Sequence, residues 1–185
     1  MKTPAYKYLF KAEEDELFYA AEEARETRSA KNVEQVTQTL AWIEEQQQKG
    51  FFVMASFSYE LAQAFDSAHK VNCDEEKFPL IFAASFDQMP LITLPAGSPQ
   101  KEAIEFDSHI NEQEYHQAIA KTHDYIHSGD IYQVNFSFRN DLQLKRSPQE
   151  TFYHLYGKHP VPYACFMDLE DWQFASLSPK FFFEK

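Results

Sequence analysis

The residue that most constrains this chain is Gly129, because a helical pattern runs into it and an alternating pattern runs out. Upstream, Asn111 can cap a helix, Glu114 stands three residues later where it can reach back, and Ile110 can staple onto Tyr115. Tyr115, Ala118, Ile119, Thr122 and Ile126 then fall on one helical stripe, and glycine at 129 supplies the left-handed stop. Downstream, Tyr132, Val134, Phe136 and Phe138 alternate with Gln133, Asn135, Ser137 and Arg139. That period of two predicts a strand with one aromatic and one polar face. Half-buried strands commonly turn such a polar row to water. The same row also suits a ligand, since side-chain amides orient polar groups and Arg139 offers a fork for a carboxylate. Gln133, Asn135 and Arg139 are therefore candidate binding residues, and periodicity does not separate the two roles.

The rest of the chain supplies a scaffold for that junction. With 185 residues, 44% apolar and 16% aromatic, there is material for one sizeable core and a small satellite. A net charge of -12 with only 17 basic residues argues against nucleic acid or an anionic membrane as partner. No apolar run approaches the roughly 20 residues of a membrane span, and residues 1–10 lack a signal-peptide core, so a cytoplasmic location is expected. Cys73 and Cys165 are far apart and lack metal-type spacing, and Cys165 reads as a small core residue. His123 and His127 stand four apart on the helix, but no acidic or cysteine ligand matches them locally. They read as solvated or helix-capping, and no metal site is assigned. There is no phosphate loop and no G-x-S-x-G elbow.

Element by element, the pattern predicts a helix over 13–27, whose acidic residues face water. A second helix starts at Asn32, with Gln35 as box partner, and stops at Gly50. Residues 51–59 read as a central strand, apolar on both faces. Strands over 78–86 and 91–94 read as a hairpin across Asp87-Gln88-Met89-Pro90. The clearest linker is Ala96-Gly97-Ser98-Pro99-Gln100, placing a boundary between domains 1–100 and 101–185, with a short strand over 104–106. Ser147-Pro148-Gln149-Glu150 opens a helix to about Gly157. Residues 163–169 and 172–177 then pair across Glu170-Asp171. The expected class is α+β, a layered antiparallel β-sheet or sandwich with flanking helices.

The run Tyr125-Ile126-His127-Ser128-Gly129-Asp130-Ile131-Tyr132-Gln133-Val134-Asn135 resembles the start of the catalytic part of chorismate-utilising enzymes. Within them it looks most like the aminodeoxychorismate synthase component I branch. Pro162-Tyr163-Ala164 through Asp168-Leu169, then Ala175-Ser176-Leu177-Ser178-Pro179, resemble the next two blocks in the same order. The resemblance implies part of an anthranilate synthase component I-like fold. It also implies an enzyme that joins ammonia to chorismate, giving 4-amino-4-deoxychorismate for para-aminobenzoate and folate. It further implies Mg²⁺ in the full-length enzyme and ammonia from a glutamine amidotransferase subunit.

Within the resemblance, Pro162, Tyr163 and Ala164 match a segment that contributes to an effector pocket of tryptophan type. Lys180 stands where the family carries an acidic residue implicated in catalysis, and the blocks with the lysine nucleophile and the acidic metal ligands have no counterpart here. The implied expectations are a truncated chain inactive alone, with no cofactor of its own, and self-association through sheet surface left uncovered. Two alternatives stand beside this reading: a non-catalytic ligand-binding or interaction module derived from the family, and part of an anthranilate or isochorismate synthase.

Overall fold

The structure, a computed structural model, describes residues 6–11, 16–66, 68–69, 71, 78–94, 105–169 and 171–178. The chain divides into two compact units, Met1–Ser98 with Pro148–Lys185, and Pro99–Ser147. It is mixed α/β, and among the described residues every strand pair is antiparallel.

In the first unit the strands are β1 (Tyr8–Lys11), β2 (Leu17–Ala21), β3 (Glu26–Ala30), β4 (Phe52–Phe57), β5 (Ile81–Phe86) and β6 (Leu91–Thr93). A short β7 (Glu105–Ser108) and β8 (Asn140–Gln143) belong to the second unit, and β9 (Tyr163–Asp168) with β10 (Gln173–Ser178) return to the first. Helices are α1 (Val33–Gln48), α2 (Glu112–Ser128) and α3 (Pro148–Lys158).

One sheet runs β10-β9-β1-β2-β6 and another runs β3-β5-β4. Alternation along β1 and β9 puts neighbours on opposite faces. Tyr8 and Met167 join Met54, Phe82 and Phe86 between the two sheets. Leu9 and Phe166 instead face α3, with Phe18, Phe152, Tyr153 and Tyr156. A third cluster, Ala30, Val36, Leu80 and Ile81, seats α1 on the far side of the smaller sheet. The layers are thus helix, five-stranded sheet, three-stranded sheet, helix, the arrangement in which each apolar face finds a cover.

Local signals explain the helix ends. Asn32 Oδ1 accepts from the Gln35 N–H at 3.1 Å, while Gln35 Oε1 accepts from the Lys31 N–H at 2.8 Å, so the box closes one residue earlier than expected. At the far end Gly50, with φ 86°, donates to the Gln47 carbonyl and Phe51 donates to that of Gln46.

Four expectations are corrected. Residues 16–27, the described part of the expected 13–27 helix, are not helical: β2 covers 17–21, β3 begins at 26, and Phe18 and Ala20 are wholly buried beside Ala164 and Phe166. Alanine and glutamate favour a helix by only tenths of a kcal/mol each, which burial on a sheet overrides. Second, β4 is an edge strand, with Phe52 and Phe57 about half exposed; the central strand is β5, buried at every position. Third, β5 and β6 are not a hairpin, since β5 pairs with β3 and β4 while β6 pairs with β2. Fourth, residues 131–139 lie outside any sheet, and pairing begins only at Asn140, against β7. The hairpin of β9 and β10 does form, with Gln173 opposite Asp168.

Phe152, 1% exposed, meets Phe18, Tyr153, Tyr156 and Phe166 within 5.9–6.4 Å between ring centres. Phe152→Ala should lower stability by about 3–5 kcal/mol. A urea midpoint shifted by less than a third of that would show that α3 is not essential to the core.

Candidate functional site

The junction expected from sequence is built, up to a point. Asn111 Oδ1 accepts from the Glu114 N–H at 2.9 Å, and Glu114 Oε2 accepts from the Asn111 N–H at 2.9 Å, a complete reciprocal cap. At the other end Gly129 has φ 81°, its N–H donates to the Ile126 carbonyl at 3.2 Å, and that of Asp130 donates to Tyr125 at 3.0 Å. Only a residue without a Cβ adopts this backbone without strain. Ser128 Oγ adds a bond to the Asp130 carboxylate at 2.6 Å, fixing the direction in which the chain leaves.

From there the chain does not enter a sheet. Gln133, Asn135 and Arg139 are exposed, as are the aromatic positions between them, Tyr132 reaching 92%. The Arg139 carbonyl accepts from the His109 N–H at 3.0 Å, which ties the end of the segment to the start of the α2 loop. Tyr115, Phe136 and Phe138 form a triangle of rings 5.9–6.1 Å apart. Beside them Phe106, Ile110, Tyr115 and Phe138 line an open groove of about 420 Å³, with Ser108, Asn111, Glu112 and Asn140 as its polar members. Asn111 is already used by the cap.

The effector-type residues lie elsewhere, in the first unit. Pro162 is exposed, Tyr163 opens β9 opposite Ser178, and Ala164 is 3% exposed against α3. Pro179 and Lys180 lie outside the described residues, as do Cys73, Ile104, Glu170 and the 96–100 linker.

A small cleft of about 90 Å³ in the first unit was not foreseen. Thr27, Ser29, Lys31, Pro79, Phe82, Leu169, Asp171 and Trp172 line it. Its walls come from three separate stretches, two of them joined by the β3–β5 pairing and the third the β9–β10 turn of the other sheet, so no local signal announces it.

Among the described residues no three histidine, cysteine or acidic side chains converge to hold a metal ion. His127 Nδ1 bonds to the His123 carbonyl at 2.8 Å, which fits the second of the two roles, solvated or helix-capping, expected for these histidines. Burial pushes the Cys165 thiol up to about 11, although the Ser176 backbone partly offsets this, so it is neutral and a poor nucleophile at pH 7.

With this geometry in view, comparison with known proteins becomes specific. A family model described as chorismate binding enzyme matches residues 84–185, which includes the Gly129 junction and β8 to β10. The chain belongs to the chorismate-binding enzyme family. Over 119 residues it is 29% identical to aminodeoxychorismate synthase component 1 of Bacillus subtilis, covering 62% of this chain and 25% of that protein. It is 30% identical over 88 residues to the protein of that name from Escherichia coli, covering 46% of this chain and 19% of the relative. Anthranilate synthase component 1 of Pseudomonas putida is 30% identical over 87 residues, covering 47% and 18%. The chain spans about a quarter or less of the length of these relatives. No helix among the described residues is long and apolar enough to cross a membrane.

Buried ionisable groups make one prediction. Burial, with Tyr6 adding to it, pushes the Tyr153 phenol up to about 12, and burial also raises Tyr156. The Tyr153 hydroxyl is buried without a hydrogen-bond partner among the described residues. Unfolded phenols and thiols lose their protons first, near 10 and 9, so their contribution to stability is full below about pH 9 and is lost as pH rises towards 12. Tyr153→Phe should raise stability at pH 7 by about 1 kcal/mol and flatten the alkaline decline. A lower urea midpoint for the variant would show that the hydroxyl makes a favourable bond.

Proposed function

We propose that this chain supplies the opening part of the chorismate-binding unit of an enzyme that aminates chorismate, of the aminodeoxychorismate synthase component 1 type. The observation that carries this reading is the family match beginning at residue 84 and running through the Gly129 junction. Ordered blocks in sequence and the names of the Bacillus and Escherichia relatives support the aminodeoxychorismate branch.

In this reading the polar side of residues 131–139 meets substrate. Gln133 and Asn135 are two apart, so an extended backbone turns them the same way, and Arg139 lies further along the same parity. Chorismate carries two carboxylates, and an arginine fork is suited to one of them, with side-chain amides orienting the ring oxygens. The Mg²⁺ expected for the full-length enzyme has no donor set among the described residues, so no step is routed through it. The described part of the chain binds and orients; amination, and any ammonia delivery by a glutamine amidotransferase subunit, belong to the greater length that the relatives possess. A second reading, with anthranilate as product, is favoured by the Pseudomonas relative.

Calorimetric titration with chorismate and Mg²⁺ should give saturable heat, and Arg139→Ala should weaken binding by about tenfold, a loss of about 1.4 kcal/mol. Absence of heat would overturn the assignment of substrate to this face. In strains lacking either component 1 enzyme, the chain should relieve neither the para-aminobenzoate nor the tryptophan requirement. Relief of one would overturn the binding-only role and name the product.

A further inference from the structure

The β7–β8 ladder reaches one step past its last strand pair. Ser108 stands opposite Asn140, and the next backbone bond runs from the His109 N–H to the Arg139 carbonyl at 3.0 Å, which sets His109 opposite Arg139. Directly opposed residues of an antiparallel pair share a face, as do residues two apart along a strand. Asp107, His109, Arg139 and Asp141 therefore share one side of the ladder, and Phe106 and Leu142 share the other. The His109 ring fits this placement by reaching diagonally to Asp141, with Nε2 2.8 Å from Oδ2. An ionised carboxylate only accepts, so Nε2 carries the proton of this bond. Asp107 and Asp141 are directly opposed acidic groups, a pairing that weakens a ladder, and the imidazole N–H is placed to offset it.

We propose that His109 is a positioning residue for Arg139: its backbone bond to the Arg139 carbonyl and its ring bond to Asp141 hold the guanidinium where a substrate carboxylate meets it. This inference rests on the reading of Arg139 as a substrate-binding residue. Residues 131–139 lie in no sheet, so the direction in which Arg139 points depends on what grips the two ends of that stretch. The Gly129 turn grips the far end. His109 grips Arg139 itself and, through the ring, the residue two further on. Folding stability gains little from this grip, because the His109 and Asp141 side chains are 46% and 71% exposed and water screens their attraction. Recognition gains more. A guanidinium fork meets a carboxylate through two parallel N–H bonds, and that geometry is lost when the backbone carrying the fork swings. A histidine ring is suited to such a task, since it is rigid beyond two torsions and donates from its outer nitrogen.

The test is a double-mutant cycle read by calorimetric titration of the full 185-residue chain with chorismate and Mg²⁺, using His109→Ala, Arg139→Ala and the two together. His109→Ala should weaken binding about fivefold, less than the roughly tenfold of Arg139→Ala, and should cost nothing more once Arg139 is gone. His109→Gln, which keeps a side-chain N–H of similar reach, should recover most of the loss. Far-UV circular dichroism should be the same for every variant. Full affinity in His109→Ala, or the same loss with and without Arg139, overturns the positioning role and leaves Arg139 as a substrate residue. A drop of helical signal in His109→Ala assigns the ring a structural role and overturns the proposal too. Absence of heat from the parent chain, or parent affinity in Arg139→Ala, overturns the substrate reading itself, and the proposal falls with it.

Discussion

Pairing of β1 with β9 is the contact on which the first unit depends. It sets Tyr8 opposite Met167, Leu9 opposite Phe166 and Phe10 opposite Cys165, joining stretches more than 150 residues apart. It also links two hairpins, β1 with β2 and β9 with β10, into one sheet, and each of these two central strands then contributes to both apolar layers. Without it, Tyr8 and Met167 would leave the space between the sheets and Leu9 and Phe166 would leave α3. The energetic content is mainly burial. Phe18, Phe166, Leu9 and Met167 are all below 2% exposed, and such side chains stabilise by about 1.5–3 kcal/mol each. Closing so long a loop costs chain entropy, which these contacts must exceed.

The two units differ in how they are held together. The first owns its core; the second, among the described residues, consists of α2, its two caps and the short β7–β8 ladder. Residues 131–139 lie in no sheet. The Gly129 turn and the capped helix fix where this segment starts, and the Arg139 carbonyl fixes where it ends, so its path is constrained at both ends.

What could be read from sequence follows from how local each signal is. Asn111, Glu114 and Gly129 act within one helical turn of themselves, and all three behave as their chemistry requires. Asn32, Gly50 and Pro148 do so for the same reason, and β9 with β10 are legible because a short turn leaves them no other partner. Within the expected 13–27 helix, residues 17–27 fold otherwise because alanine and glutamate spacing imitates a helix, whereas the deciding contacts, Phe18 with Phe152 and Tyr156, come from distant sequence. The edge position of β4 and the separation of β5 from β6 are matters of strand order, which no single segment encodes. For 131–139, alternation brings Phe136 and Phe138 together beside Tyr115 but says nothing about whether a neighbouring backbone is available to pair. The candidate residues Gln133, Asn135 and Arg139 were visible as a pattern; the groove beside Phe138 was not, because Phe106 and Ile110 come to it from across the β7–β8 ladder.

Native-state hydrogen exchange read separately for β1 and β9 tests the central claim most directly, because a contact that holds a unit together opens only when the unit unfolds. The account predicts that amides of both strands exchange with the free energy of global unfolding measured in urea, matching those of the fully buried β5. Exchange of β1 through a local opening of much lower free energy, while β5 stays protected, would show that the first unit persists without this pairing and would contradict the account.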